Sequence, residues 1–180
     1  GSSLLCTLAM ESVAPSMPTG GKAARRLLVL NGKGLDTRGT DEESRLAFRS
    51  KAVLADYDSH IRRSAEALGV EVEHVQTNDL DACIERLRVA TEDAIVINPA
   101  GFMNDQELVD CIAGLEKPVI EVHYGNFVAK GKTSKVTTVC RALICGAKLE
   151  SYTLGLRAAL AALDPADTEF DYPPASGTVE

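Results

Sequence analysis

The 180-residue sequence has no surplus of basic charge: 26 Asp and Glu against 19 Lys and Arg give a formal net charge of −7. Nucleic acid is thereby excluded as the main partner, because binding a phosphate backbone rests on a net basic face. No apolar run approaches the roughly 18 residues that cross a bilayer, so no membrane span is expected. The five cysteines (Cys6, Cys83, Cys111, Cys140 and Cys145) are odd in number and mostly in apolar surroundings. They read as free thiols in a reducing, intracellular compartment and not as a disulfide framework. Metal ligands are scarce as well. Cys140 and Cys145 stand close together, but no second Cys or His pair at ligand spacing accompanies them, so packing cysteines and no metal are expected.

What is present is an ordinary globular balance, 45% hydrophobic and 25% charged, enough for one domain with a sizeable core. The two ends differ from the middle. Residues 1–26 carry a net +2 and residues 164–180 a net −5. Both are rich in Pro, Ser, Thr and Gly and poor in periodicity, so each reads as an extension around a core of 27–163.

Within that core, short apolar runs alternate with helical spacing. LLVLN (27–31), AIVIN (94–98), PVIEV (118–122) and ALICG (142–146) suit strands of a parallel sheet, whereas VEVEHVQ (70–76) alternates as an edge strand does. Segments 52–68, 79–90, 103–115 and 149–163 place apolar residues on one helical face, with Asp79 and Asn104 as N-caps and Gly69 as a stop. This alternation predicts an α/β domain, doubly wound around five parallel strands. Such sheets bind ligands at the carboxyl edge. That edge carries NGKGLDTRGT after the first strand, NPAGFMN after the third and HYGN after the fourth.

Simple motifs in these loops are weak. Gly32-Lys33-Gly34 lacks the third glycine of a dinucleotide loop, and the charged stretch 37–51 is not promptly helical, so a turn is expected. Gly131-Lys132-Thr133 lacks the upstream glycine of a phosphate loop and reads as a solvated basic loop. His60 and His74 are expected at the surface. His123 ends a buried strand in the ligand crevice, where an imidazole can serve as general acid or base or simply hold the loop by hydrogen bonds.

Taken together, LLVLNGKGLDTRGT, VEVEHVQTN, AIVINPAGF, KPVIEVHYGN and ALICGAKLESYTLGLRAAL, in this order and at these spacings, resemble the type II 3-dehydroquinate dehydratases over about Leu27 to Leu163. The resemblance implies a flavodoxin-like three-layer sandwich with strand order 2-1-3-4-5, a homo-oligomer, and no cofactor. It implies dehydration of 3-dehydroquinate to 3-dehydroshikimate through an enolate: a tyrosine lowered by an arginine removes a proton, and a histidine protonates the leaving hydroxyl. Carried over, Asn98 would contact substrate, His123 would be the acid, Glu121 would orient it, Asn126 would stand in the same loop, and Asn31 keeps the first asparagine after strand one.

Other positions depart from the pattern. Lys33 and Gly34 replace a proline and an asparagine, Asp41 stands where the activating arginine belongs, and no tyrosine precedes Tyr57, which lies in the first predicted helix. Phe48 could fill the tyrosine's place but has no hydroxyl. Asn104 replaces a substrate-binding histidine, Gly125 a serine, and Ala129-Lys130-Gly131-Lys132 an arginine-bearing run. Acid and base groups are each worth about 10²- to 10⁴-fold. The expectation is therefore a non-catalytic subunit, structural or accessory, held in a larger assembly through its extensions, in the mitochondrial matrix or the cytoplasm. Two alternatives stand beside it: an active or atypical dehydratase, and a ligand-sensing module.

Overall fold

The computed structural model describes residues 24–164; residues 1–23 and 165–180 of the expected extensions, and Cys6, lie outside the described residues, whereas Arg26 begins the first strand and Arg25 pairs with Asp93. Five parallel strands, β1 (Arg26–Asn31), β2 (Glu71–Gln76), β3 (Ala94–Asn98), β4 (Val119–His123) and β5 (Ala142–Cys145), form one sheet in the order β2-β1-β3-β4-β5. This is the flavodoxin-like arrangement that the resemblance implies, on the five parallel strands that the hydropathy pattern predicts. The burial follows the hydropathy pattern: every residue of β3 and β4 is buried, while β2 and β5 at the edges are only partly so.

Alternation along the strands divides the core into two layers. Leu27, Val29, Val96, Ile120 and Val122 face α2 (Leu54–Leu68) and α5 (Glu150–Ala162), whereas Leu28, Leu30, Ile95 and Ile97 face α3 (Leu80–Arg88) and α4 (Gln106–Ala113). Burial of each such side chain contributes about 1.5–3 kcal/mol. The helices start and stop where their chemistry directs. Asp79 accepts hydrogen bonds from the amides of Asp81 and Ala82, and Gly69 ends α2 in the left-handed region at φ 67°. Two local expectations need correction. Residues 42–48 form a short helix, α1 (Glu42–Phe48), because Asp41 caps Ser44 N and Glu42 and Glu43 suit a helix N-terminus. The cap of α4 is Asp105, and Asn104 instead accepts from the Lys135 amide.

The histidines at 60 and 74 are not freely exposed: His60 is partly covered and the His74 side chain is buried. The His74 side chain is 4% exposed although β2 is an edge strand, because α2 covers its face and Asp58 comes down onto the ring, Oδ1 to Nδ1 at 2.9 Å. Its Nε2 meets Asn31 Nδ2 at 2.7 Å. Asn31 Oδ1 accepts from the Tyr152 hydroxyl, which accepts in turn from Asn98 Nδ2, both at 2.8 Å. Burial pushes the Tyr152 phenol well up, so it stays a donor. His60 bonds Thr153 on α5 at 2.9 Å, and Ser64 bonds the same hydroxyl. Polar residues on α2 therefore cross-link it to β2 and α5. The cysteines behave as the sequence indicates: burial pushes the Cys83 and Cys140 thiols up to about 12, which suits packing and not nucleophilic attack.

Two outcomes follow from this packing. A Cβ on Gly155 would meet Val122 Cγ1 at 2.6 Å and Val96 Cγ1 at 3.0 Å, so α5 lies on the sheet only because it has no side chain there. Gly155→Ala is expected to cost about 1–2 kcal/mol net of its better helix propensity, measured by denaturant melts. At the other end of the sheet, Glu92 is buried and takes Arg86 Nη2 at 2.5 Å. Burial would raise its carboxyl, but the hydrogen bonds and charge of Arg86 outweigh that and hold it below the usual glutamate value. A depressed folded value means stability that is full above about pH 4.3 and lost as pH falls through the folded value. Glu92→Gln should lower stability at neutral pH and flatten this acid limb in melts taken between pH 3 and 7.

Candidate active site

The three loops expected to carry function meet over the carboxyl ends of β1, β3 and β4, around a cleft of about 730 Å³. Lys33, Gly34 and Arg38 come from the first loop, Ala100, Gly101, Met103 and Asn104 from the second, and His123, Tyr124 and Gly125 from the third. Segment 130–133 closes the far side. The first two loops press together closely enough that a Cβ on Gly32 would fall 2.2 Å from the Pro99 carbonyl oxygen. Gly101 N also donates to Lys33 O at 3.0 Å. A hollow of about 800 Å³ between α3 and α4 is larger, but it lies away from this edge of the sheet and is lined by Asp81, Glu85, Glu107 and Asp110 against the single cation Arg88.

Among the described residues four cations, Lys33, Arg38, Lys130 and Lys132, line the cleft, and no carboxylate does. A wall of that composition suits an anion. The Arg38 guanidinium lies 4.2 Å from the centre of the Phe48 ring, which holds it over the cleft. Arg38 also lies beside Tyr57: burial pushes that phenol up, and the guanidinium works against the rise.

His123 is 7% exposed and rests against Phe127, ring centres 4.4 Å apart. Its Nε2 meets Glu121 Oε1 at 2.7 Å, and Glu121 is completely buried. The same Oε1 accepts from Ser134 Oγ at 2.6 Å, and Oε2 accepts from the Thr137 hydroxyl. A carboxylate accepts and does not donate, so Nε2 carries a proton toward Glu121 and Nδ1 is left for other work. The imidazole is thus held in one orientation at the floor of a basic cleft.

The sequence-predicted residues do not all gather here. His123 lines the cleft and Glu121 stands directly behind it. Asn31 and Asn98 are fully buried and spend their amides on the Tyr152 network, although Asn98 Oδ1 has no partner. Asn126 is exposed and caps the turn at 128–130 through Ala129 N. Sequence reasoning missed Ser134, Thr137, Arg38 and Tyr124. The solvated reading stops at Gly131-Lys132-Thr133 and gives Ser134 and Thr137 no role; the glutamate inside a buried strand is the available signal, since such a carboxylate must find donors. Arg38 carried no separate signal.

Comparison with known proteins places this geometry. The dehydroquinase class II family model matches residues 25–160. A 3-dehydroquinate dehydratase of Desulforudis audaxviator is 39% identical over 141 residues, 75% of this chain and 92% of that protein. One of Dinoroseobacter shibae is 31% identical over 148 residues, 79% of this chain and 97% of that protein. The type II dehydroquinase from Propionibacterium acnes superposes with a TM-score of 0.69 at 27% identity, covering 80% of this chain and 100% of that one. These relatives overturn the expectation of a non-catalytic accessory subunit. That expectation rested on matching single positions, whereas the cleft draws its cations and a tyrosine from other positions around the same histidine. The chain belongs to the class II dehydroquinase family.

Proposed function

We propose that this chain is a hydro-lyase that dehydrates 3-dehydroquinate to 3-dehydroshikimate, with His123 as general acid. The observation that carries the reading is the His123–Glu121 pair beneath a cleft lined by four cations and no carboxylate. The substrate is a small carboxylate that must lose a hydroxyl. Lys33, Arg38, Lys130 and Lys132 supply the charge that holds its carboxylate and stabilises an enolate oxygen. His123 gives its proton to the departing oxygen, so water and not hydroxide leaves. Glu121 fixes the ring and, being buried, cannot itself reach substrate. The family resemblance also supports a homo-oligomer.

The product is conjugated, so ultraviolet absorbance follows turnover directly. The wild-type chain is expected to turn over 3-dehydroquinate, and His123→Ala to lose about 10²- to 10⁴-fold in kcat. Glu121→Gln should lower kcat more than it raises KM, because it disturbs the orientation of the acid and not the anion site. A wild-type chain without turnover at millimolar substrate overturns the reading.

A further inference from the structure

The dehydratase reading leaves one step without a group: something must take the proton from the carbon beside the carbonyl. Among the described residues the cleft lining contains no Asp, Glu or Cys. Its proton acceptors are His123, Tyr124 and three lysines, Arg38 being always charged. Lys33, Lys130 and Lys132 are exposed and are already assigned to the anion site. His123 is assigned to the leaving oxygen.

Tyr124 remains, and its setting is that of a positioned group. It is 9% exposed, and its ring lies 5.9 Å from that of Tyr57, which meets Tyr152 edge-on at 5.6 Å. This stack fixes the ring from behind. Tyr124 also continues the face of Ile120 and Val122, toward α2 and α5, while His123 continues the face of Glu121, toward Ser134 and Thr137. Consecutive residues on a strand end thus bring a phenol and an imidazole into the cleft from opposite sides. Elimination across two neighbouring carbons needs that division: a base at the carbon and an acid at the oxygen, kept apart so that neither quenches the other.

Resting on the dehydratase reading, we propose that Tyr124 is the proton-abstracting catalytic residue of this chain. Its phenolate takes the proton as the C–H bond breaks, and the electron pair moves onto the carbonyl oxygen as an enolate. The enolate then re-forms the carbonyl, the C–O bond to the hydroxyl breaks, and His123 donates its proton so that water leaves. Tyr124 returns its proton, and His123 regains one, by exchange with solvent. Arg38 and the lysines of the cleft wall stabilise the enolate.

Tyr57 is the competing phenol. It is 1% exposed and does not line the cleft, and Arg38 lies beside its phenol. It supports the Tyr124 ring, and phenylalanine would support it equally.

The two half-reactions separate the roles. With substrate in D2O, NMR follows deuterium entering the carbon beside the carbonyl, and absorbance follows dehydration. Tyr124→Phe, which keeps the ring and its packing, should lose both by about 10²-fold or more with KM within a few-fold of wild type. His123→Ala should lose dehydration and keep exchange, and Tyr57→Phe should keep both. If Tyr124→Phe exchanges deuterium at the wild-type rate, or if Tyr57→Phe loses exchange in its place, the assignment is wrong while the dehydratase reading stands. A wild-type chain that neither exchanges nor dehydrates overturns both.

Discussion

A carboxylate with no access to water sits at the centre of this molecule. Glu121 lies in the middle of β4, the most thoroughly buried strand after β3, where burying a charge costs several kcal/mol unless donors surround it. The donors come from Ser134, Thr137 and His123. The first two belong to the irregular stretch before β5, which has little apolar surface of its own to hold it. Satisfying Glu121 therefore anchors that stretch and forms the far wall of the cleft. It also fixes the imidazole and brings Lys130 and Lys132 alongside. One buried charge sets both the shape of the cleft and its chemistry.

The fold was largely legible because periodicity and burial agree. AIVIN forms a strand at the predicted residues, and VEVEHVQ forms the half-covered edge its alternation indicates. What escaped has a physical cause in each case. His74 reads as exposed because an edge strand normally shows one face to water; only the position of α2 and Asp58 buries it. Helix α1 depends on a cap and two acidic residues more than on an apolar stripe, and it buries nothing. Asn104 and Asp105 are adjacent and equally suited to capping, and the competition is decided by Lys135, thirty residues away.

The cleft was legible in place and not in content. Its location follows from topology, and its three loops are those the strand order selects. Matching it to family positions one at a time counted losses at Asp41, Phe48 and Asn104. It could not see that Arg38 reaches the same cleft from a different position, or that Tyr124 follows directly on His123. A binding site is a set of atoms around a space, and different sequence positions can fill that space with the same kinds of atom.

The hydrogen-bonded run Asn98, Tyr152, Asn31, His74, Asp58 crosses from the innermost strand to the edge of the sheet, and its donors all point the same way. Asp58 can only accept, so His74 donates from Nδ1 and accepts at Nε2, and each group inward follows. Edge strands with exposed polar residues are the ones most apt to slip along their neighbour. Here a shift of one residue would carry His74 to the other face and leave a donor or an acceptor unmatched at each step back to the core. The run is a register lock: it lets a weakly apolar edge strand report its alignment to the middle of the protein.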